Sequence, residues 1–195
     1  MPHRHFIFQF QKALQAAACF LRQAGGRMSY IDLLKMLYIA DRECLSCEGE
    51  TITGDGVSAL KKGPVLRTVK NLIKKDDSQW ERWHHYIGTQ FNSITKRLDV
   101  FIKNDPGEGE LYRFEKELIY RVFEEYKDKD LIAHTHTFPE WQKYKAALDS
   151  PAMKNSYPIT VEDILEGIGK PELLEVVEKN IADQRFQLKL FREVS

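Results

Sequence analysis

Three short sets have residue types and spacings that could do chemistry: Cys44-Leu-Ser-Cys47, His84-His85 and His134-Thr-His136. A Cys-x-x-Cys can cycle as a redox dithiol or share a zinc ion. Position argues against redox work. The pair falls in the last turns of a predicted helix, where the dipole opposes a thiolate, whereas reactive thiols gain from a helix N-terminus. Zinc needs two further ligands, and with no second cysteine pair the histidines would have to supply them. The residues therefore read as small packed thiols, with no metal and no cofactor. The His134 and His136 pair has no evident nucleophile or carboxylate to work with. No G-x-S-x-G elbow, phosphate-binding loop or paired carboxylates in a Gly-rich loop occurs. The chain reads as a protein that is not an enzyme.

One acid is conspicuous. Asp41 lies seven residues after Leu34 and three after Tyr38, on a largely apolar helix face. A carboxylate there must be paired or must accept backbone hydrogen bonds. We expect it to tie its helix to the Thr53–Asp55 turn or to Lys61, a structural role.

The elements that position these residues follow from periodicity and punctuation. Phe10, Leu14, Ala17 and Leu21 predict a helix over about 8–24, stopped by Gly25-Gly26. Ser29 is the expected N-cap of a second helix that ends at Gly49, with Asp32 in its first turn. Leu33, Leu34, Met36, Leu37, Tyr38 and Ala40 make that helix apolar over more than half its circumference, and so the central one. Residues 51–61 read as short extended pieces, or a small hairpin, around the Gly54-Asp55-Gly56 turn. Pro64 then sits in the first turn of a basic helix whose stripe is Val65, Val69, Leu72 and Ile73. Trp83–Ile87 and Leu98–Ile102 have strand character, closed by Asn104-Asp105-Pro106-Gly107. A long helix over about 109–126, short ones opened by Asp130 and Pro139, a loop at Pro151 and Pro158 and two tail helices around Gly167, Gly169 and Pro171 complete the chain. The predicted fold is mainly α: a single helical domain over 6–150 with a small antiparallel β element inserted between helices, and a helical extension over 151–195.

At 195 residues, 43% hydrophobic and 30% charged, the chain has the length and composition of one soluble domain with a sizeable core. Lys and Arg number 29, as do Asp and Glu, so no global field points to nucleic acid or an anionic membrane. Locally, Lys61, Lys62, Arg67, Lys70, Lys74 and Lys75 crowd 61–75 without an acid, while 162–178 is mostly glutamate among its charges. A basic helix followed by a hairpin has the outline of a DNA-binding regulator, but without a compact basic face the phosphate term would be small. No apolar run approaches the ~20 residues needed to span a bilayer. Met1–His5, with His3 and His5, lacks a signal-peptide pattern, and the odd cysteine count fits a reducing compartment. We therefore expect a cytoplasmic protein, with no membrane partner and nucleic acid unlikely as one.

The residues of 28–73 carry a resemblance. Lys35-Met36-Leu37-Tyr38-Ile39-Ala40-Asp41-Arg42-Glu43, then Thr51-Ile52-Thr53-Gly54-Asp55, then Val57-Ser58-Ala59-Leu60-Lys61-Lys62-Gly63-Pro64-Val65 is similar to K-L-L-Y-L-A-D-R-E, P-I-T-G-D and V-A-L-x-x-G-P-V. These are the patterns of the Panacea domain of SocA-like antitoxins, and their order and gaps agree. Thr135-His136 followed by Pro139-Glu140-Trp141 resembles a later family feature. The likeness extends over 10–27 and 111–148 and is absent from 150–195. Thr51 stands where the pattern tends to have Pro, and the family usually lacks Cys44 and Cys47.

The resemblance implies an antitoxin of a bacterial or prophage toxin–antitoxin system that neutralises a cognate protein toxin by direct binding. It also allows an adaptor that delivers the toxin to a cytoplasmic protease. Leu37, Tyr38, Asp41, Arg42, Gly54 and Gly63 are expected to serve the fold. Thr53, Asp55, Lys61, Lys62, Pro64, His136 and Trp141 are the candidates for touching the partner, Trp141 only if it is exposed. The same resemblance leads us to expect residues 6–148 to fold without 160–195.

Overall fold

The computed structural model describes residues 5–150 and 154–193. Met1–Arg4, including His3, and Pro151 lie outside them. Helix α1 (Phe10–Gln23) is buried almost continuously from Ala13 to Leu21, because its alanines let neighbours close around it. Gly25 and Gly26 both take positive φ and reverse the chain into strand β1 (Arg27–Ser29). Ser29 caps α2 (Tyr30–Glu48) as expected, its hydroxyl accepting from Ile31 N, and Gly49 ends that helix in the left-handed conformation. Every residue from Leu33 to Asp41 is buried. Helix α2 is the central element, packed against α1, strand β3 (Gly63–Leu66), α5 (Arg113–Tyr126) and α6 (Leu131–Thr135).

Two small antiparallel sheets flank the helices. Strand β2 (Val57–Leu60) pairs with β3 through the tight Lys61-Lys62 turn. Here the structure corrects one expectation. Pro64 does not open a helix; it pairs with Ala59 inside β3, and helix α3 (Arg67–Lys74) starts after it. β3 lies at a sheet edge, where a residue without an N–H leaves no gap in the ladder. A second correction concerns Trp83–Tyr86, read from sequence as strand. These residues lie in helix α4 (Trp80–Tyr86), and the strand, β4 (Ile87–Asn92), begins at Ile87. The aromatic run favours a strand locally, but the same residues satisfy helical spacing. Burial of Trp83 against Phe10, with ring centroids 6.2 Å apart, decides between them.

β4 pairs with β5 (Arg97–Ile102), and β1 joins the other side of β5, giving the order β1-β5-β4. The expected inserted hairpin is therefore present, completed by a strand from before α2. Helix α5 begins later than the sequence suggests, at Arg113, where Glu115 folds back to accept from Tyr112 N at 2.8 Å. Asp130 caps α6 through Ile132 N and Ala133 N, and Pro139 opens α7 (Pro139–Asp149). Pro158, expected in a loop, sits in strand β6 (Tyr157–Ile159), the other edge of the β3-β2-β6 sheet. The tail continues as α8 (Val161–Gly167), one 3-10 turn and α9 (Leu174–Glu193). The fold is mainly α as expected, and the extended pieces read after Thr51 form the β2–β3 hairpin of the second small sheet. No helix among the described residues is long and apolar enough to cross a membrane.

Candidate functional site

The motif residues converge on the loop between α2 and β2. Asp41 is 3% exposed, and both its oxygens face Thr53: Oδ1 accepts from Thr53 N at 2.9 Å, and Oδ2 accepts from the Thr53 hydroxyl. The expected tie between the central helix and this turn is present, through Thr53. Thr53 is fully buried. Gly54 follows at φ +66, and a Cβ there would collide with the Ile7 carbonyl, so the close approach of the N-terminal segment needs a glycine. Asp55 then reaches across to α3. Its Oδ1 accepts from Thr68 N at 3.0 Å and its Oδ2 from Val69 N at 2.9 Å. Helix α3 has no acid in its first turn and no cap from its own N-terminal residue, so Asp55 supplies both the acceptors and the negative charge that its N-terminus favours.

A second constellation adjoins the first. Glu140, in the first turn of α7, has a fully buried side chain. Its Oε1 accepts from the Tyr38 hydroxyl at 2.7 Å and from Arg42 Nε at 2.7 Å, while Arg42 Nη2 lies 3.4 Å from Oε2 and from the Gly167 carbonyl. The guanidinium also covers the Phe138 ring at 4.3 Å. The Tyr38–Arg42–Glu140 set thus joins α2, α7 and α8. Between the two constellations lies a cavity of 390 Å³ lined by Tyr38, Asp41, Arg42, Asp55 and Arg67 and by apolar Phe6, Val57 and Ile159. Each of the carboxylates Asp41, Asp55 and Glu140 already holds protein donors on both of its oxygens.

The β2–β3 turn carries the exposed part of the motif. Lys61 and Lys62 project into solvent. Gly63 takes φ +95, and a Cβ there would lie 2.7 Å from Thr135 Oγ1 and 2.8 Å from Lys35 Nζ. That lysine is 3% exposed and donates to the Pro64 carbonyl at 2.6 Å. Burial pushes its pKa down to about 7. Trp141 is 3% exposed, and its indole donates to the Leu60 carbonyl at 2.9 Å, so it buttresses the hairpin from below. His136 stacks flat on Trp141, with centroids 3.9 Å apart, and stays half-buried.

The family model described as antitoxin SocA-like, Panacea domain, matches residues 33–142, more than half of the chain. This chain belongs to the SocA-like antitoxin family. No curated protein and no solved structure matches it. The matched span starts within α2 and ends in α7, so it contains both constellations of the Panacea domain and stops before β6.

Of the residues expected to touch a partner, the Panacea fold exposes Lys61 and Lys62 and leaves Asp55 and His136 half-buried. Thr53, Pro64 and Trp141 are buried, because the turn, the strand and the buttress that they form are internal, so these residues present no surface to a partner. Leu37, Tyr38, Asp41, Gly54 and Gly63 are buried and Arg42 half-buried, all in the structural positions described above. Glu140 and Lys35 were not singled out from sequence. The only signal for Lys35 was a lysine inside the apolar run 33–40; Glu140 resembled an ordinary first-turn acid. Cys44 is buried, which raises its pKa, and Cys47 is exposed. His84 Nε2 lies 3.2 Å from the Leu72 and Ile73 carbonyls, and His134 packs between Tyr126 and Phe138. Among the described residues no group of three or more His, Cys, Asp or Glu is placed to hold a metal ion.

Asp41 gives the Panacea core a pH signature. Burial raises its pKa to about 7, against the Thr53 hydrogen bonds, which act to lower it. Its ordinary value is near 3.9. A carboxyl that holds its proton more tightly when folded stabilises most below that ordinary value, and this contribution is lost as pH rises through about 7. Asp41→Asn mimics the protonated acid. We expect the Tm of the variant, relative to wild type, to rise between about pH 4.5 and 7.5. Parallel profiles in thermal unfolding would show that Asp41 does not titrate in this window.

Proposed function

We propose that this protein is the antitoxin of a bacterial or prophage toxin–antitoxin pair, that it is not an enzyme, and that it neutralises a cognate toxin in the cytoplasm by direct binding. Membership of the SocA-like family over 33–142 carries this reading. The geometry supports it from the chemical side. The carboxylates that sequence and structure single out are spent on internal bonds: Asp41 on Thr53, Asp55 on the start of α3, and Glu140 on Tyr38 and Arg42. A general acid or base needs a lone pair or proton free to meet substrate, and the oxygens of these carboxylates are engaged by protein donors. The motif builds a scaffold that holds the β2–β3 turn outward. Neutralisation on such a scaffold works by occlusion, covering the toxin's active or target-binding surface over roughly 1,600 Å², the size of a standard stable interface.

Co-expression with the adjacent gene tests the proposal. Growth is expected to collapse when the neighbour is expressed alone, to recover with this chain present, and to yield a complex that survives gel filtration. Recovery without a stable complex would overturn neutralisation by occlusion; dependence of that recovery on a cytoplasmic protease would then favour delivery of the transiently bound toxin to the protease. Failure to recover would overturn the antitoxin reading.

A further inference from the structure

The basic stretch 61–75 folds around a pocket. Between the start of α2, the β2–β3 turn and α3 lies a concavity of 340 Å³, at the lower end of the range for ligand pockets. Its floor is aliphatic, formed by Ile31, Leu34, Leu60 and Val65, with Tyr30 at one side. Among the described residues five lysines line it and no carboxylate does. Lys61, Lys62 and Lys74 are exposed at the rim, Lys70 is half-buried, and Lys35 is buried behind Gly63. Elsewhere, Lys12 pairs with Glu115, Arg121 with Glu43 and Lys143 with Asp163. Among the described residues none of the five pocket lysines forms an ion pair; the one bond recorded for the Lys35 ammonium is to the neutral Pro64 oxygen. A buried ammonium without a counter-charge is costly, and lysines that converge on one concavity repel one another.

We infer that this pocket is the recognition site for an acidic peptide segment, an apolar side chain flanked by Asp or Glu, on the partner that this protein binds. The inference rests on the antitoxin reading for the identity of that partner. The apolar side chain covers the Ile31–Leu34–Val65 floor, and the flanking carboxylates meet the Lys61, Lys62, Lys70 and Lys74 ammoniums. A carboxylate that enters deepest gives Lys35 the opposite charge it lacks. Burial lowers its pKa to about 7, and a carboxylate beside it would favour the charged form. An aliphatic floor favours a peptide over a phosphate backbone, which would offer it nothing to bury. Rim charges act mainly on the encounter, so binding should weaken with salt.

The first test titrates the full ¹⁵N-labelled chain with the acetylated pentapeptide Glu-Glu-Leu-Glu-Glu. Saturable shifts confined to amides of 30–35, 60–65 and 70–74 are expected. In the Lys61→Glu/Lys62→Glu variant, and separately in Lys74→Glu, affinity should fall at least tenfold. Lys179→Glu on α9 should leave it unchanged. Diffuse, non-saturating shifts would overturn the proposal, as would saturation by a DNA duplex or inorganic phosphate but not by the peptide. The same variants then enter the co-expression assay. A wild-type chain that fails to rescue growth counts against the antitoxin reading alone, since the peptide result stands apart from it. Wild-type rescue with complex affinity unchanged in Lys61→Glu/Lys62→Glu overturns the pocket's role in toxin binding and leaves the antitoxin reading intact.

Discussion

Glu140→Ala is expected to destabilise the fold by about 3–5 kcal/mol, because removal of one partner leaves the others buried with their charge and hydrogen-bonding groups unmet. The Tyr38 hydroxyl is fully buried and donates to Glu140, and Arg42, only 17% exposed at its side chain, loses the carboxylate that holds it. For a chain of this length that range lowers Tm by roughly 6–20 °C. Glu140→Gln keeps an acceptor for Tyr38 and the shape of the side chain, so it should cost less, with the loss concentrated at Arg42. Combining Glu140→Ala with Arg42→Leu removes the orphaned charge, and a double-mutant cycle should show the two losses to be strongly non-additive. Denaturant or thermal unfolding measures all of these. A Glu140→Ala chain that melts within about 3 °C of wild type would mean that solvent satisfies Arg42 and Tyr38 once the carboxylate is gone, and that the network does not tie α7 to the core.

How the network escaped the sequence reading is instructive. Asp41 was legible because a charge on an apolar helical face must be satisfied, and the nearest donors in the chain were those of the Thr53–Asp55 turn. Glu140 is as deeply buried, yet nothing local marks it: an acid after a helix-opening proline is what the helix dipole favours anywhere. Its burial arises only when α7 lies against α2, a long-range event. Asp55 shows the same limit from the other side. Its sequence position suggests an exposed turn, and it becomes a helix cap because α3, which lacks one, lands thirteen residues on. Pro64 and Trp83–Tyr86 were misplaced for a related reason. Their local preferences fit two structures, and the choice was made by sheet pairing in one case and by Phe10 in the other. Helix α1 with its apolar stripe and Gly25-Gly26 stop, α2 with its Ser29 and Gly49 caps, and α7 with its opening Pro139 were readable because local and tertiary requirements agree there. The site's exposed lysines were readable as a charge run, but their convergence on one concavity needed the hairpin and α3 to fold toward each other.

Removal of residues 154–195 is expected to abolish cooperative unfolding of the rest, whereas the family resemblance, which ends before this segment, leads to the expectation that 6–148 fold without 160–195. The tail adds strand β6 to β2, with Ile159 opposite Val57. Ile159, Ile164, Leu165, Val177 and Ile181 are each no more than 5% exposed and belong to the same core cluster as α1 and α2. Burial of side chains of this size contributes about 1.5–3 kcal/mol each, which together rivals the ~5–15 kcal/mol net stability of a whole domain. Polar ties run the same way: Lys170 Nζ donates to the Ser46 carbonyl, Asn180 Nδ2 to the Gly49 carbonyl, and Ile7 N to Gln184 Oε1. These contacts close the C-terminal end of α2 and the N-terminal segment, and Pro158 and Ile159 wall the cavity beside Asp41. Ordering the tail costs conformational entropy, so its net contribution is smaller than the gross burial. The faces it uncovers, however, are apolar and would be left in water. Calorimetry and gel filtration of a chain ending at residue 153 should show aggregation or a broad, weak transition. A soluble monomer with a sharp melt would establish instead that the Panacea fold is complete without its tail, and that β6, α8 and α9 are an accessory laid over a finished core.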